Sequence, residues 1–232
     1  MTRKAFKTIL IDTLPVLAGY LFLGAGFGIL LAEKTPYGPL VAGGMGLFIF
    51  AGSGQYLAVD LLANSASIIS AAIATFLVNA RHIFYGISLI DTYKGAGKKK
   101  PYMIFSLTDE TYSLVTQNTP PEGVSRHTYC FLVSALDHLY WITGCTLGNL
   151  MGTYLPINFQ GVEFVLTALF VTLFTEQWLT HKNHLPAIIG IGCTVVCLIL
   201  FGKDLFLIPA MIAIATLLLC TKKTGKRGDV RA

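Results

Sequence analysis

The sequence predicts an all-α polytopic membrane protein with about six full spans plus two broken or re-entrant segments, and three observations predict it. The first is composition. Of 232 residues, 54% are hydrophobic and only 12% are charged, against roughly a quarter charged in a soluble domain. With a mean hydropathy of +0.66, a soluble chain of this length could not hide its apolar surface in one core. The second is spacing, because apolar runs of about the 20 residues that a spanning helix needs recur along the whole chain. The third is charge placement. Twelve of the 17 Lys and Arg residues fall in three clusters: Arg3, Lys4, Lys7; Lys94, Lys98, Lys99, Lys100; and Lys222, Lys223, Lys226, Arg227, Arg231. Clusters flanking apolar runs read as cytoplasmic loops. The net charge of +5 therefore builds no nucleic-acid face, and no nucleic-acid partner is expected. Residues 1–221 read as a single transmembrane domain and 222–232 as a basic cytoplasmic tail, with both termini cytoplasmic.

The first span covers about residues 9–31. Its start, MTRKAFKTIL, resembles a signal-peptide n-region, but the apolar run continues past Pro15 to Ala32 without a convincing cleavage site. It is retained as a span. A turn-rich loop at 33–39 leads into 40–63, which is apolar but interrupted by Gly43, Gly44, Gly46 and then Gly52-Ser53-Gly54-Gln55. Glycine weakens a helix and frees backbone groups. In a membrane such a break is tolerated only when it is buried in protein or lines a polar cavity. Residues 67–90 read as a clean span carrying Asn79, Arg81 and His82, followed by the basic loop 91–100. The segment 101–119 is barely long enough to span, holds Asp109 and Glu110 near its middle, and ends at Pro120-Pro121. Plainer spans follow at about 127–150, 159–180, 184–201 and 204–220.

Charge decides between two topologies. If 40–63 and 101–119 both cross fully, giving eight full spans, the Lys98–Lys100 cluster lands outside. If both are re-entrant or broken, all three basic clusters lie inside, which obeys the charge rule better. The two irregular segments then enter from opposite faces, as in an inverted-repeat transporter, although no internal repeat is visible in the sequence.

Ionisable groups at membrane depth default to function. Arg81 presents a fork suited to a carboxylate, with Asn79, His82 and Tyr85 at helical spacing around it. The plain alternative is that Arg81 snorkels to the headgroups and His82 caps a neighbouring carbonyl. Gly52, Ser53, Gly54 and Gln55 offer backbone N–H groups at the start of a half-helix, a second place for an anion or zwitterion. Asp60 follows and would hold an ammonium or a proton, or else sit at the lipid–water interface. Asp109 and Glu110 read either as buried carboxylates of raised proton affinity or as part of an amphipathic helix on the membrane surface. Asp137 and His138, near Trp141, read as a proton relay, or Asp137 pairs with Arg81 for structural reasons. Glu163 and Glu176 lie nearer span ends and read as interfacial. Gly24-x3-Gly28 and Gly144-x3-Gly148-x3-Gly152 are small-residue ridges for helix packing.

The five cysteines, Cys130, Cys145, Cys193, Cys197 and Cys220, lie in or at the ends of apolar runs and read as packed thiols. Cys193 and Cys197 share a face, but no His or carboxylate pattern completes a metal site. His181-x2-His184 has no third ligand and reads as a solvated loop. A nucleophile elbow, a P-loop, a dinucleotide fingerprint and a zinc-helix motif are all absent. The expectation is neither an enzyme nor a cofactor or metal protein.

Three segments carry a family resemblance. Phe50-Ala51-Gly52-Ser53-Gly54-Gln55-Tyr56, the run from Ala74 to Leu89 (ATFLVNARHIFYGISL), and Leu107-Thr108-Asp109-Glu110-Thr111-Tyr112 resemble the AzlC-type branched-chain amino-acid permeases, over nearly the whole chain. Gly54, Asp60 and the Lys98–Lys100 run depart from the family pattern. The resemblance implies the large subunit of a two-part exporter of valine, leucine and isoleucine in a bacterial inner membrane, with a small AzlD-type membrane subunit as partner. It implies a secondary, proton-coupled carrier, and nothing in the sequence looks like a docking site for an ATPase. Arg81 and Gly52–Gln55 would meet the substrate carboxylate. Asp60, Asp109 or Glu110 would meet the ammonium or carry the proton. An apolar pocket separates one methylene by only about 1–3 kcal/mol, so overlap with methionine is expected. The alternative function is a passive channel for small anions or polar solutes, formed by the two broken segments.

Overall fold

Among the described residues every regular element is helical. The computed structural model describes residues 2–155 and 184–206, with isolated positions between 161 and 179 and between 209 and 218. Glu163, Glu176, His181, Cys220 and the basic tail lie outside them, as do most of 159–180 and part of 204–220. The chain divides into two units, residues 1–167 and 168–232.

In the first unit the order is α1 (Arg3–Lys34), α2 (Pro39–Phe48), α3 (Gly52–Ala63), α4 (Ile68–Asn79), α5 (Arg81–Ser88), a 3-10 turn (Gly97–Lys99), α6 (Lys100–Phe105), α7 (Asp109–Gln117) and α8 (Arg126–Tyr154). The second unit contains α9 (Leu185–Leu205), which Pro186 starts and a non-helical Gly202 interrupts. Three described helices are long and apolar enough to cross a membrane: Arg3–Lys34, Arg126–Tyr154 and Leu185–Gly202. Outward-facing side chains are strongly apolar, with Leu40, Phe48, Ile68, Ile69 and Phe76 all exposed. A soluble monomer rarely shows such a surface, which suits lipid contact.

The centre of the first unit is a seam between α1 and α8. The two glycine ridges face each other across it. A β-carbon at Gly24 would come within 2.9 Å of Cys145 N, and one at Gly144 within 2.6 Å of Tyr20 O. At Gly28 it would meet Cys145 O and Asn149 N, and at Gly148 the backbone of Ala25. Without a hydrophobic drive between helices in lipid, such backbone approach is what holds them. Asn149 locks the end of the seam, donating from Nδ2 to Gly28 O at 3.1 Å and to Tyr37 O at 3.2 Å. Tyr56 ties α3 to α1 by donating to Leu23 O at 2.8 Å.

Both segments read as irregular are interrupted. The first breaks between α2 and α3, where Phe50 takes the left-handed φ of +43° and Ala51 is extended. That conformation is costly for a residue with a β-carbon. The Phe50 ring is held by stacking on His138, 4.3 Å between centroids. The second breaks between α6 and α7, where Thr108 caps α7 by accepting from Thr111 N at 3.3 Å. The far end of α7 is capped by Arg126, whose guanidinium donates to Asn118 O at 2.6 Å and to Val115 O.

The span expected to be clean, 67–90, is instead bent by 43° between α4 and α5. Polar side chains enter the backbone ladder there. His82 Nδ1 lies 2.9 Å from Asn79 O, so Ile83 N turns to Ala80 O at 3.1 Å. Asn79 Nδ2 also donates to Thr75 O at 3.0 Å. Inserted side chains of this kind are an identified cause of kinks.

The seam makes a direct prediction. Gly148→Val should destabilise the protein by about 1–3 kcal/mol or more, since the neighbouring backbone must move apart. Gly44→Ala, where nothing lies within 4 Å, should be neutral or slightly stabilising. Thermal unfolding midpoints in detergent would check both.

Candidate functional site

Arg81 opens α5 and reaches both breaks. Its Nη1 lies 2.8 Å from Asp109 Oδ2, and its Nη2 donates to Ser53 Oγ at 3.0 Å. Ser53 lies in the first turn of α3 and Asp109 begins α7. One guanidinium therefore joins the opening turns of both half-helices. Arg81 and Asp109 keep 34% and 28% of their side-chain surface exposed, so the pair is reachable. Asp109 Oδ1 is buried without a hydrogen-bond partner. No side chain caps α3, and its opening N–H groups carry the positive end of the helix dipole.

The glycines around Ser53 have distinct neighbours. A β-carbon at Gly54 would lie 2.9 Å from Asn79 Nδ2, and one at Gly52 would lie 3.3 Å from the Trp141 ring. Gly54 thus lets Asn79 and α3 pack together. Gln55 is turned away from Arg81 into the core, where its Oε1 accepts from Trp141 Nε1 at 2.7 Å and its Nε2 faces Cys145 Sγ at 3.9 Å. Tyr85 stacks on Tyr112 with centroids 4.8 Å apart and meets the His82 ring edge-on at 5.9 Å. Tyr112 in turn accepts from Ser88 Oγ at 3.0 Å.

Asp60 stands apart from this group. It pairs with Lys34 at 3.1 Å, with 56% of its side chain exposed. Asp137 does not pair with Arg81 in the structure. Its Oδ2 accepts from Thr111 Oγ1 at 2.7 Å, while its Oδ1 is buried and without a partner. Glu110 accepts from the Tyr20 hydroxyl at 2.8 Å. Tyr20 also lies 2.6 Å from Thr108 Oγ1, which contacts Thr111 Oγ1 at 3.0 Å. A continuous file of oxygens thus links Glu110 to Asp137. His138, the next residue on α8, faces elsewhere: its Nδ1 lies 3.0 Å from the Tyr102 hydroxyl and its Nε2 3.2 Å from Gly46 O.

A family model described as AzlC protein matches residues 15–155. The chain belongs to the AzlC family. The AzlC match runs from Pro15 within α1 to the end of α8 and includes the helices that build the Arg81 site. Over 228 residues the chain is 40% identical to "Branched-chain amino acid transport protein AzlC" of Bacillus subtilis (strain 168), covering 97% of this chain and 89% of that one. It is 42% identical over 220 residues to an uncharacterized membrane protein of Helicobacter pylori (strain ATCC 700392 / 26695), covering 95% and 96%. It is 25% identical over 208 residues to inner membrane protein YgaZ of Escherichia coli (strain K12), covering 87% and 82%. No solved structure matches significantly. The AzlC family is one of membrane transport proteins, not of enzymes. Among the described residues, no group of three or more His, Cys, Asp or Glu is placed to hold a metal ion.

Several site residues carry no local signal. Tyr20 lies in a glycine-rich apolar span, and Tyr102 and Thr111 sit among ordinary polar residues. Only tertiary packing brings Tyr20 of α1, Thr111 of α7 and Asp137 of α8 together. Glu110 at a helix start had a readable signal, since acids favour the first turn.

Trp141→Phe should remove the indole donor, leaving Gln55 Oε1 unpaired in the core, and should also shrink the buried ring that packs on Tyr20. The orphaned acceptor is expected to cost about 1–3 kcal/mol on top of the lost packing, read as a lower thermal midpoint. The double variant Trp141→Phe with Gln55→Leu should lose less than Trp141→Phe alone, because it leaves no orphaned acceptor.

Proposed function

We propose that this AzlC-family chain is a secondary transporter that exports branched-chain amino acids, namely valine, leucine and isoleucine, with methionine by overlap, across a bacterial inner membrane. The observation that carries this reading is Arg81 bridging the two half-helix starts through Ser53 and Asp109. The name of the Bacillus subtilis relative supports the substrate class.

In this reading the substrate carboxylate takes over guanidinium hydrogen bonds now made to Asp109 and Ser53, and the opening N–H groups of α3 add to its binding. Asp109, released from Arg81, faces the substrate ammonium. The aliphatic side chain lies against the surrounding apolar helices. Exchange of one carboxylate for another on a fixed guanidinium keeps its charge neutralised at every stage, which a low-dielectric site requires. Transport is proton-coupled and works with a small AzlD-type membrane subunit, which rests on the family resemblance. Residues 40–63 and 101–119 enter as broken segments from opposite faces, with both termini cytoplasmic.

Counterflow of labelled leucine and valine in proteoliposomes, with and without the small subunit, tests this function. Saturable exchange is expected. Arg81→Ala should raise the half-saturation concentration by about 10–100-fold, the worth of a lost charged hydrogen bond. Arg81→Lys should restore it only in part, since lysine keeps the charge but not the fork. Uncoupled, non-saturable flux would favour the channel instead. The topology has its own test: Lys98→Cys, in a background without the native cysteines, should react with an impermeant reagent only from the cytoplasmic side.

A further inference from the structure

The file of oxygens from Glu110 to Asp137 contains four short contacts: Glu110 to Tyr20 at 2.8 Å, Tyr20 to Thr108 at 2.6 Å, Thr108 to Thr111 at 3.0 Å, and Thr111 to Asp137 at 2.7 Å. All four fall in the range of O–H···O hydrogen bonds. Each needs a hydrogen, yet the three hydroxyls supply one apiece. If both carboxylates are ionised, Tyr20 donates to Glu110 and Thr111 donates to Asp137. Thr108 then has one hydrogen for two neighbours, and one contact sets lone pairs against each other. The three hydroxyls are nearly inaccessible, with Tyr20 at 3%, Thr108 at 7% and Thr111 at 0% exposure.

We infer that Glu110 and Asp137 share one proton through Tyr20, Thr108 and Thr111, and that this path is the proton site of the transporter. The inference rests on the transport reading above for its role, but not for the existence of the shared proton. With one carboxyl protonated, all four contacts are filled in a single direction. Asp137 is the end better suited to the neutral form: it is fully buried, has one hydrogen-bonded oxygen, and leaves Oδ1 without a partner. An ionised carboxylate so placed would be costly.

The transfer balances. A proton leaves Asp137 Oδ2 for Thr111 Oγ1, Thr111 passes its own to Thr108, Thr108 to Tyr20, and Tyr20 to Glu110. Each hydroxyl ends with one hydrogen, and the negative charge has moved from Glu110 to Asp137. The charged and titratable groups near the path are Asp109, Arg81 and Tyr85 beside Glu110 and Tyr102 beside Asp137, while His138 is turned away to Tyr102 and Gly46 O. When Glu110 is neutral, one fewer negative charge competes for Arg81. The guanidinium is then more available to a substrate carboxylate, which links the proton to the cargo. Carboxylic acids at membrane depth mark proton relays in pumps and transporters.

Two measurements test it. Infrared difference spectroscopy of the purified full chain should show a protonated carboxyl in the wild type that disappears in both Glu110→Gln and Asp137→Asn, because either amide supplies the fourth hydrogen itself. A wild type without that band overturns the shared proton, whatever the variants do. In proteoliposomes, Thr111→Val should keep leucine counterflow while leucine-driven proton movement, read with a trapped pH dye, falls by about 100-fold or more. Proton movement unchanged in Thr111→Val overturns the path as the coupling route. Absence of counterflow in the wild type would count against the transport reading, and the infrared result would still decide the shared proton.

Discussion

The structure depends first on the close approach of α1 and α8. Lipid gives no hydrophobic reason for two apolar helices to associate, so dispersion and backbone proximity must supply it. Gly24 and Gly28 on α1 against Gly144 and Gly148 on α8 bring the backbones close enough that a single β-carbon would collide with main-chain atoms. Two long helices fused in this way make a rigid post. Shorter elements are then attached to that post: Tyr56 of α3 bonds Leu23 O, Trp141 bonds Gln55, and Tyr129 packs in the core cluster with Leu107 and Val115.

The post explains how two helix breaks survive. A break exposes backbone groups and strains the chain, and within a membrane no water is at hand to satisfy them. Asp137 and His138 are consecutive on α8, so their side chains diverge by about 100°. One reaches Thr111 near the start of α7. The other lies beneath Phe50, with its ring stacked on that strained residue and its Nε2 beside Gly46 O. A single step along one rigid helix thus supports both breaks. Arg81 completes the arrangement from the other side, through Ser53 and Asp109. The irregular segments are held because their polar groups are met by side chains anchored on α8 and by Arg81.

Much of this was legible in the sequence, and the remainder follows a pattern. Glycine at four-residue intervals announced the seam, since only backbone contact needs such a ridge. Gly52-Ser53-Gly54 and the Thr108-Asp109-Glu110 cap announced the breaks, because the residue types are wrong for a continuous helix in lipid. Arg81 stood out through the cost of its charge. Residues 67–90 read as continuous because the run is uniformly apolar apart from its polar cluster. The bend comes from His82 taking the Asn79 carbonyl, a side-chain choice that hydropathy does not record. Asp60 was legible only in part: its charge was visible, but its partner, Lys34, lies 26 residues away and reaches it only through the packing of α1 and α3. Tyr20 was silent altogether, because a tyrosine in an apolar helix looks the same whether its hydroxyl meets lipid headgroups or a buried acid.

Asp109 and Glu110 show why adjacent residues of the same type need not share a task. They occupy the first turn of α7, where successive side chains again point about 100° apart. Asp109 turns toward Arg81 and remains partly exposed, while Glu110 turns toward Tyr20 on the post. The same helix start favours negative charge at both positions through its dipole, so neither site is neutral with respect to the other. A charge removed from Glu110 is felt by the Asp109–Arg81 pair across a distance too short for solvent to screen fully. The same turn of helix therefore carries both a reachable ion pair and the end of a buried file of hydroxyls. That position is what makes a local proton movement able to alter the affinity of the neighbouring guanidinium for an anion.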